Sequence, residues 1–361
     1  MTLSRSKKTL AKPISAIGDP AAEGGSFRTG SPDSRQYVSA ISDGLSPKLI
    51  ALLHNSRSLS TTKAIRSDIR KFSAWCDSRN LSNLPCSPET LAEWIADLQG
   101  SSSVASIARY VSSVSTVHDL GGHDNPARSE LVRLAMKGLR RSEAGTPAKK
   151  APALRMAQLM ELLDSMSSRE WPSRRNRAIL AVGWAAALRA SEICALNIDD
   201  IQQAIEGLIV WIRKSKTDQE GRGIPIGIPA SPLTAVILDW KTAVTRLYGT
   251  NSGPLFPRIG YAQVDRWFPS IGPRGRLSTR SLHKLIVRLL RMVSVEGSVH
   301  SLRRGVITEA AAAGVPENLI QRHSRHRSVA VLRGYVEEGN LFDSNPLHAV
   351  FELLPSSQKD R

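Results

Sequence analysis

The sequence predicts a mainly α-helical chain in two domains: an N-terminal helical bundle and a C-terminal mixed α/β domain with a small β-hairpin. Three observations carry this. Apolar residues recur at helical spacing over residues 46–141 and again over most of 153–361. Residues 208–229 break that period with a run of β-formers, a turn-like stretch and a second run. Residues 142–152, SEAGTPAKKAP, have almost no apolar bulk and read as a linker. A chain of 361 residues is also too long for one ordinary core.

The elements follow in order. Residues 1–45 are rich in Ser, Gly, Pro, Lys and Arg and read as a disordered basic tail, with Arg5, Lys7 and Lys8 as cations within reach of a polyanion. Ile65, Ile69, Phe72 and Cys76 fall on one helical face, while Lys63, Arg66, Arg70 and Lys71 lie mainly off it. Ser87-Pro88 reads as an N-cap and first helical residue before Leu91, Trp94, Ile95 and Leu98. A third helix carries Val104, Ile107, Val111, Val114 and His118, and a fourth spans Arg128 to Arg141 after the GGHDNP breaker. In the second domain, Met156 to Asp164 and Arg174 to Leu188 read as helices, the latter nearly apolar and therefore buried. Ser191 is the expected cap of the short helix SEICAL. LIVWIR and IPIGIP form the hairpin, with Lys214 and Lys216 near its loop. Helices follow over Leu233–Tyr248 and Thr279–Val293, with an irregular Gly/Pro-rich stretch at 249–278 between them. Gly314-Val315-Pro316 reads as a helix stop and a new start. A last helix over Pro346–Leu354 presents Leu347, Val350, Phe351 and Leu354 on one side.

The formal net charge is +17, from 49 Lys and Arg against 32 Asp and Glu. Such an excess favours a polyanion, nucleic acid first, because each neutralised phosphate releases counterions. No apolar run reaches the length of a membrane span and the start MTLSRSKKTL has no signal-peptide core, so a cytoplasmic protein is expected. Cys76, Cys86 and Cys194 are scattered and odd in number, which speaks against a disulfide framework or a zinc cage.

The chemistry gathers in His300 to Tyr335, HSLRRGVITEAAAAGVPENLIQRHSRHRSVAVLRGY. Two basic clusters, His300/Arg303/Arg304 and Arg322/His323/Arg325/His326/Arg327, precede a lone phenol. Arginines present paired donors to two phosphate oxygens, and a phenol is a nucleophile for phosphorus. The bland alternatives are an arginine paired with Glu192 inside a core, a metal held by His323 and His326, and a core tyrosine.

Four motifs together resemble the tyrosine recombinases, the phage integrase family. ALRASEICAL at 187–196 resembles the first arginine box, RKSKTDQEG at 213–221 the lysine-bearing hairpin, HSLRR at 300–304 the His-x-x-Arg box, and SRHRSVAVLRGY at 324–335 the last box. The order and spacing fit over roughly residues 46–355, and STRSLHKLI at 278–286 makes the layout similar to that of the Cre-like members.

The resemblance implies a SAM-like core-binding domain at 46–141 and a catalytic domain at 153–361 that ends in a subunit-exchange helix. It implies that Arg189 and Arg303 grip the scissile phosphate, that Lys216 (or Lys214) protonates the leaving 5′ oxygen, and that His300 and His326 assist. Tyr335 would attack phosphorus and leave a 3′-phosphotyrosyl link, with Glu192 orienting its neighbours. Lys63, Arg66, Arg70, Lys71, Lys214, Arg304 and Arg325 are the expected DNA contacts. Neither a metal nor any other cofactor is expected, since cations on the protein spread the phosphate charge. The implied partners are double-stranded DNA with an inverted-repeat core site, a second copy on that site and a homotetramer in the synapse, with room for accessory DNA-bending proteins. A type IB topoisomerase and a catalytically silent DNA-binding protein are the rival readings. The sequence departs from the family boxes at two glycine positions, which here hold Ala187 and Arg325, and Arg325 is read as one more phosphate contact.

Overall fold

The computed structural model describes residues 58–143, 151–213, 223–262, 266–269, 275–326 and Leu347. The chain divides into two compact units, Met1–Pro147 and Ala148–Arg361. Lys214, Lys216, Tyr335, the basic tail and all of the Pro346–Leu354 helix but Leu347 lie outside the described residues.

In the first unit the described helices are α1 (Leu59–Asp77), α2 (Pro88–Asp97), α3 (Val104–Gly121) and α4 (Glu130–Ser142). Serine N-caps start all four: Ser58, Ser87, Ser103 and Ser129 each accept a backbone N–H of the first turn. The core is aromatic. Phe72 of α1 lies 4.7 Å from Trp94 of α2, and Trp94 lies 5.7 Å from Tyr110 of α3, between ring centroids. The carboxylate of Asp68, 2% exposed, accepts from Arg109 at 2.6 Å and Ser113 at 2.8 Å, which ties α1 to α3. Burial of that carboxylate is tolerable because both partners satisfy it. His118 is held in its neutral form: Nδ1–H donates to Val114 O, Nε2 accepts the Cys86 N–H, and burial lowers its pKa.

The second unit begins at α5 (Met156–Asp164), followed by α6 (Trp171–Ala185) and α7 (Ala190–Ala195). A three-stranded antiparallel sheet follows, β1 (Ile201–Ala204), β2 (Gly207–Ile212) and β3 (Ile224–Pro229), in the order β1-β2-β3. Then come α8 (Pro232–Tyr248), the antiparallel pair β4 (Ile259–Ala262) and β5 (Arg266–Pro269), α9 (Thr279–Met292), α10 (His300–Ala312) and α11 (Glu317–Ser324). The expected hairpin is present, and β1 adds a strand that the sequence reading did not include. The stretch read as irregular at 249–278 contains β4 and β5.

Helix α6 is the central rod, with Ala178 to Ala185 all buried. The composition of that second half, AILAVGWA, demands this, since it has no polar side chain but the Trp184 indole to show to water. Helix α10 packs close to it and to the start of the unit. Trp184 Nε1 donates to Leu154 O at 3.0 Å, and the Leu154 N–H donates to Ser301 O at 3.0 Å. Gly305 permits that approach, because a Cβ there would sit 2.1 Å from Leu154 O. All three cysteines are buried and free, with burial pushing their thiols up to about 11 for Cys76, about 12 for Cys86 and about 11 for Cys194. Among the described residues no helix is long and apolar enough to cross a membrane.

Candidate active site

The site forms where α6 ends. The last carbonyls of a helix lack intrahelical donors, and the C-terminal end carries partial negative charge. Here side chains from sequence-distant segments supply the donors. His323 Nε2–H donates to Ala185 O at 2.7 Å. Arg325 donates to Ala186 O at 3.2 Å and Ala187 O at 3.1 Å. Arg303 Nη1 donates to Ala187 O at 2.6 Å. The chain then turns through Ala187, at φ +49°, and delivers Arg189 to the start of α7.

Arg189 itself occupies the N-cap position, and Glu192 caps the helix in return by accepting the Arg189 N–H at 2.9 Å. The cap expected at Ser191 is therefore shifted by two residues. Glu192 is 2% exposed, and its carboxylate serves two guanidiniums. Oε1 accepts from Arg189 Nη1 at 2.7 Å, and Oε2 accepts from Arg325 Nη2 at 2.9 Å. The core ion pair weighed against a phosphate role for Arg189 thus exists, yet Arg189 keeps 20% of its side chain exposed.

Helix α10 brings His300 and Arg303 to the same corner. Arg303 is 1% exposed. Its Nη2 lies 3.3 Å from His326 Nε2 and 3.4 Å from Nδ1, while Ser324 Oγ lies 2.7 Å from Nδ1. An arginine only donates, so the nitrogen facing it is unprotonated. Burial first, and then the positive charges of Arg303 and Arg189, push His326 down to about 4. Burial and the same two arginines, joined by Arg304, lower His300 as well. Both rings are neutral near pH 7, with one nitrogen to donate and one to accept. The buried Arg303 and the partly buried Arg189 beside neutral histidines form a pocket of positive potential that suits an anion.

The described chain reaches Arg213 before Lys214 and Lys216. Arg213, at the end of β2, donates to Asp199 at 2.6 Å and also pairs with the buried Asp200. The two lysines lie outside the described residues.

Two expected DNA contacts differ from the structure. Arg325 does not reach outward: its side chain is 5% exposed and faces Glu192 and two carbonyls. It stands in the left-handed region at φ +59°, which turns the side chain inward from the end of α11. Arg304 is likewise buried, at 5% exposure. Ser301 to Gly305 of α10 are covered on all sides, so successive residues bury although they point in different directions. The α1 cations Lys63, Arg66, Arg70 and Lys71 are all exposed. Lys71 Nζ also donates to Tyr110 Oη at 3.2 Å. For the metal alternative at His323 and His326, no group of three or more His, Cys, Asp or Glu side chains that could hold a metal ion occurs among the described residues.

Two features escaped the sequence reading. Arg276 donates to the carbonyls of Cys194 and Leu196, both at 2.9 Å, and to Asn197 Oδ1 at 2.6 Å, which braces the end of α7. A cavity of about 470 Å³ is lined by Arg175, Arg258, Lys284 and Arg288. The signal available was the i,i+4 spacing of Lys284 and Arg288 on α9.

The model of the phage integrase family matches residues 152–340. The chain belongs to the phage integrase family. An integrase/recombinase xerD homolog of Selenomonas ruminantium is 30% identical, over 85% of this chain and 90% of its own length. The recombinase cre of Escherichia phage P1 is 25% identical, over 83% and 90%. Among solved structures, the XerH site-specific recombinase in a post-cleavage complex with its difH substrate matches with a TM-score of 0.55 at 17% identity, covering 74% of this chain and 72% of that one. The Tn1549 transposon integrase with transposon right end DNA matches at 0.53 and 13% identity, covering 88% and 97%. These two likenesses establish the tyrosine-recombinase fold. With the family and the relatives, they make the chain a site-specific DNA recombinase of the tyrosine type.

Proposed function

We propose that the corner at the end of α6 holds the scissile phosphate of a DNA duplex between Arg189 and Arg303, and that Tyr335 is the nucleophile. The observation that carries this is convergence: Arg303 meets His326 and the Ala187 carbonyl, Arg189 pairs with Glu192, and Arg325 joins that carbonyl to Glu192. Three distant boxes of the sequence supply one positive pocket. The phenol oxygen of Tyr335 bonds to phosphorus and the bond from phosphorus to the 5′ oxygen breaks. The phenol proton passes to a neutral histidine, and the leaving oxygen takes a proton from Lys216, with Lys214 as its alternative. A 3′-phosphotyrosyl link and a 5′ hydroxyl result. The ester keeps the bond energy, so another 5′ hydroxyl reseals the strand by the reverse steps. A bound phosphate also raises the pKa of both histidines, which makes them better proton acceptors at the moment of use.

DNA is held elsewhere by cations without chemistry. The face of α1 carrying Lys63, Arg66, Arg70 and Lys71 supports contact by a core-binding domain, and the cavity around Arg175, Arg258, Lys284 and Arg288 supports a second backbone phosphate. Two copies occupy one inverted-repeat site and four form the synapse. An apolar groove formed by Val306, Ile307, Ala310, Val315, Leu319 and Ile320 supports this assembly, since the Leu347–Leu354 stripe of a second copy has the chemistry to fill it.

Covalent capture tests the reading. Wild type and Tyr335→Phe are mixed with fragments of the host genome, denatured, and the 3′ ends that remain on protein are sequenced. Ends collected at an inverted repeat by wild type alone are expected. Linkage at many unrelated places would favour a topoisomerase, and binding without linkage a silent DNA-binding protein.

A further inference from the structure

We propose that Arg325 is a positioning residue for both phosphate-gripping arginines, a clasp between the turn that follows α6 and the turn that ends α11. The proposal rests on the reading of Arg189 and Arg303 as that grip. Its evidence is separate, because it comes from what one inward-facing guanidinium touches.

Two residues with side chains occupy left-handed backbone at this corner, Ala187 at φ +49° and Arg325 at φ +59°. Such conformations persist when the surroundings over-determine them. The surroundings here are each other. Arg325 donates to Ala186 O at 3.2 Å, Ala187 O at 3.1 Å and Glu192 Oε2 at 2.9 Å, and its side chain is 5% exposed. One side chain therefore binds the α6 turn and the carboxylate of α7 together.

Two of the three partners, Ala187 and Glu192, are shared with a grip residue. Ala187 O also accepts from Arg303 Nη1 at 2.6 Å. Glu192 gives its other oxygen to Arg189 Nη1 at 2.7 Å. The clasp thus sets the directions of both arginines without facing the phosphate. It has an electrostatic effect too. With Arg325 on Oε2, the single negative charge of Glu192 is divided between two guanidiniums, so Arg189 keeps positive charge for an anion. Only a planar fork fits these three acceptors on two elements; an ammonium is a point donor.

Glycine at residue 325 would relieve the backbone and remove the clasp. The account expects it to fold well and to react poorly. The experiment uses the full chain as wild type, Arg325→Gly and Arg325→Lys, with host-genome fragments as the probe. Filter retention before denaturation reads binding, and protein-linked DNA against time reads cleavage. Both variants are expected to bind as wild type does and to link DNA more slowly, by about 10²-fold for Arg325→Gly, the scale of a misplaced catalytic group. Added methylguanidinium is expected to restore part of the Arg325→Gly rate and none of the Arg325→Lys rate. Linkage by both variants at the wild-type rate overturns the proposal, as does a loss that tracks binding or folded fraction. Should Arg325→Gly unfold, Arg325→Lys decides alone. A wild type that links no DNA overturns the underlying reading instead, so the two failures are distinguishable.

Discussion

The α1 face and the α6 corner are both basic, and they hold their charge in opposite ways. On α1, Lys63, Arg66, Arg70 and Lys71 stand exposed, where water and salt screen them. At the corner, Arg303 is 1% exposed, and its direction is set by the Ala187 carbonyl. Exposed cations attract a duplex without fixing any atom of it. Buried, hydrogen-bonded cations cost desolvation, but they are already aimed when the phosphate arrives, so little reorganisation remains for the reaction itself. Under the proposed function, charge on the one surface would serve binding, and charge in the other pocket would serve chemistry.

The largest expected effect breaks the corner. Arg303→Ala and Arg189→Ala should each slow covalent linkage by about 10²–10³-fold while retaining binding, read by timed capture at saturating protein. A loss confined to binding would place both arginines with the α1 group.

Next comes pH. Burial and neighbouring arginines hold His326 at about 4 and lower His300 and His323, against an ordinary value of 6.5 in the unfolded chain. The unfolded state therefore binds more protons between these values. Stability is fully present above about pH 6.5 and falls as pH drops towards about 4. His326→Gln should flatten that fall by about 1–2 kcal/mol after allowance for solvent screening, measured by urea unfolding across the window. An unchanged slope would mean that the ring is not held neutral.

The smallest effect belongs to α1. Each alanine at Lys63, Arg66, Arg70 or Lys71 should lower the slope of log affinity against log salt by about 0.9, if that cation meets a phosphate. The cleavage rate at saturation should stay as it is.

Much of this contrast was legible in the sequence. Helix α5 falls on the residues its spacing indicates, and Ser87-Pro88 marks the start of α2. The boxes around Arg189 and Arg303 could be read because each combines a cation with an apolar helix that places it. Other features were hidden for physical reasons. Strand β1, IQQA, has too few apolar residues to alternate visibly. Strands β4 and β5 lie among breakers that suggest loop. Arg325 looked like a surface cation, and only the left-handed backbone, which sequence does not display, turns it inward. Arg304 shares that fate because α10 is enclosed on every side near its start.

The most direct test of the division between binding and chemistry is one crossed experiment. Arg303→Lys and the quadruple alanine variant of Lys63, Arg66, Arg70 and Lys71 are compared with wild type for binding and for linkage rate at saturation. Arg303→Lys should bind normally and link DNA slowly; the quadruple variant should bind weakly and, once saturated, link DNA at the wild-type rate. If binding and linkage fall together in both variants, the two basic regions do not divide the work and the account is wrong.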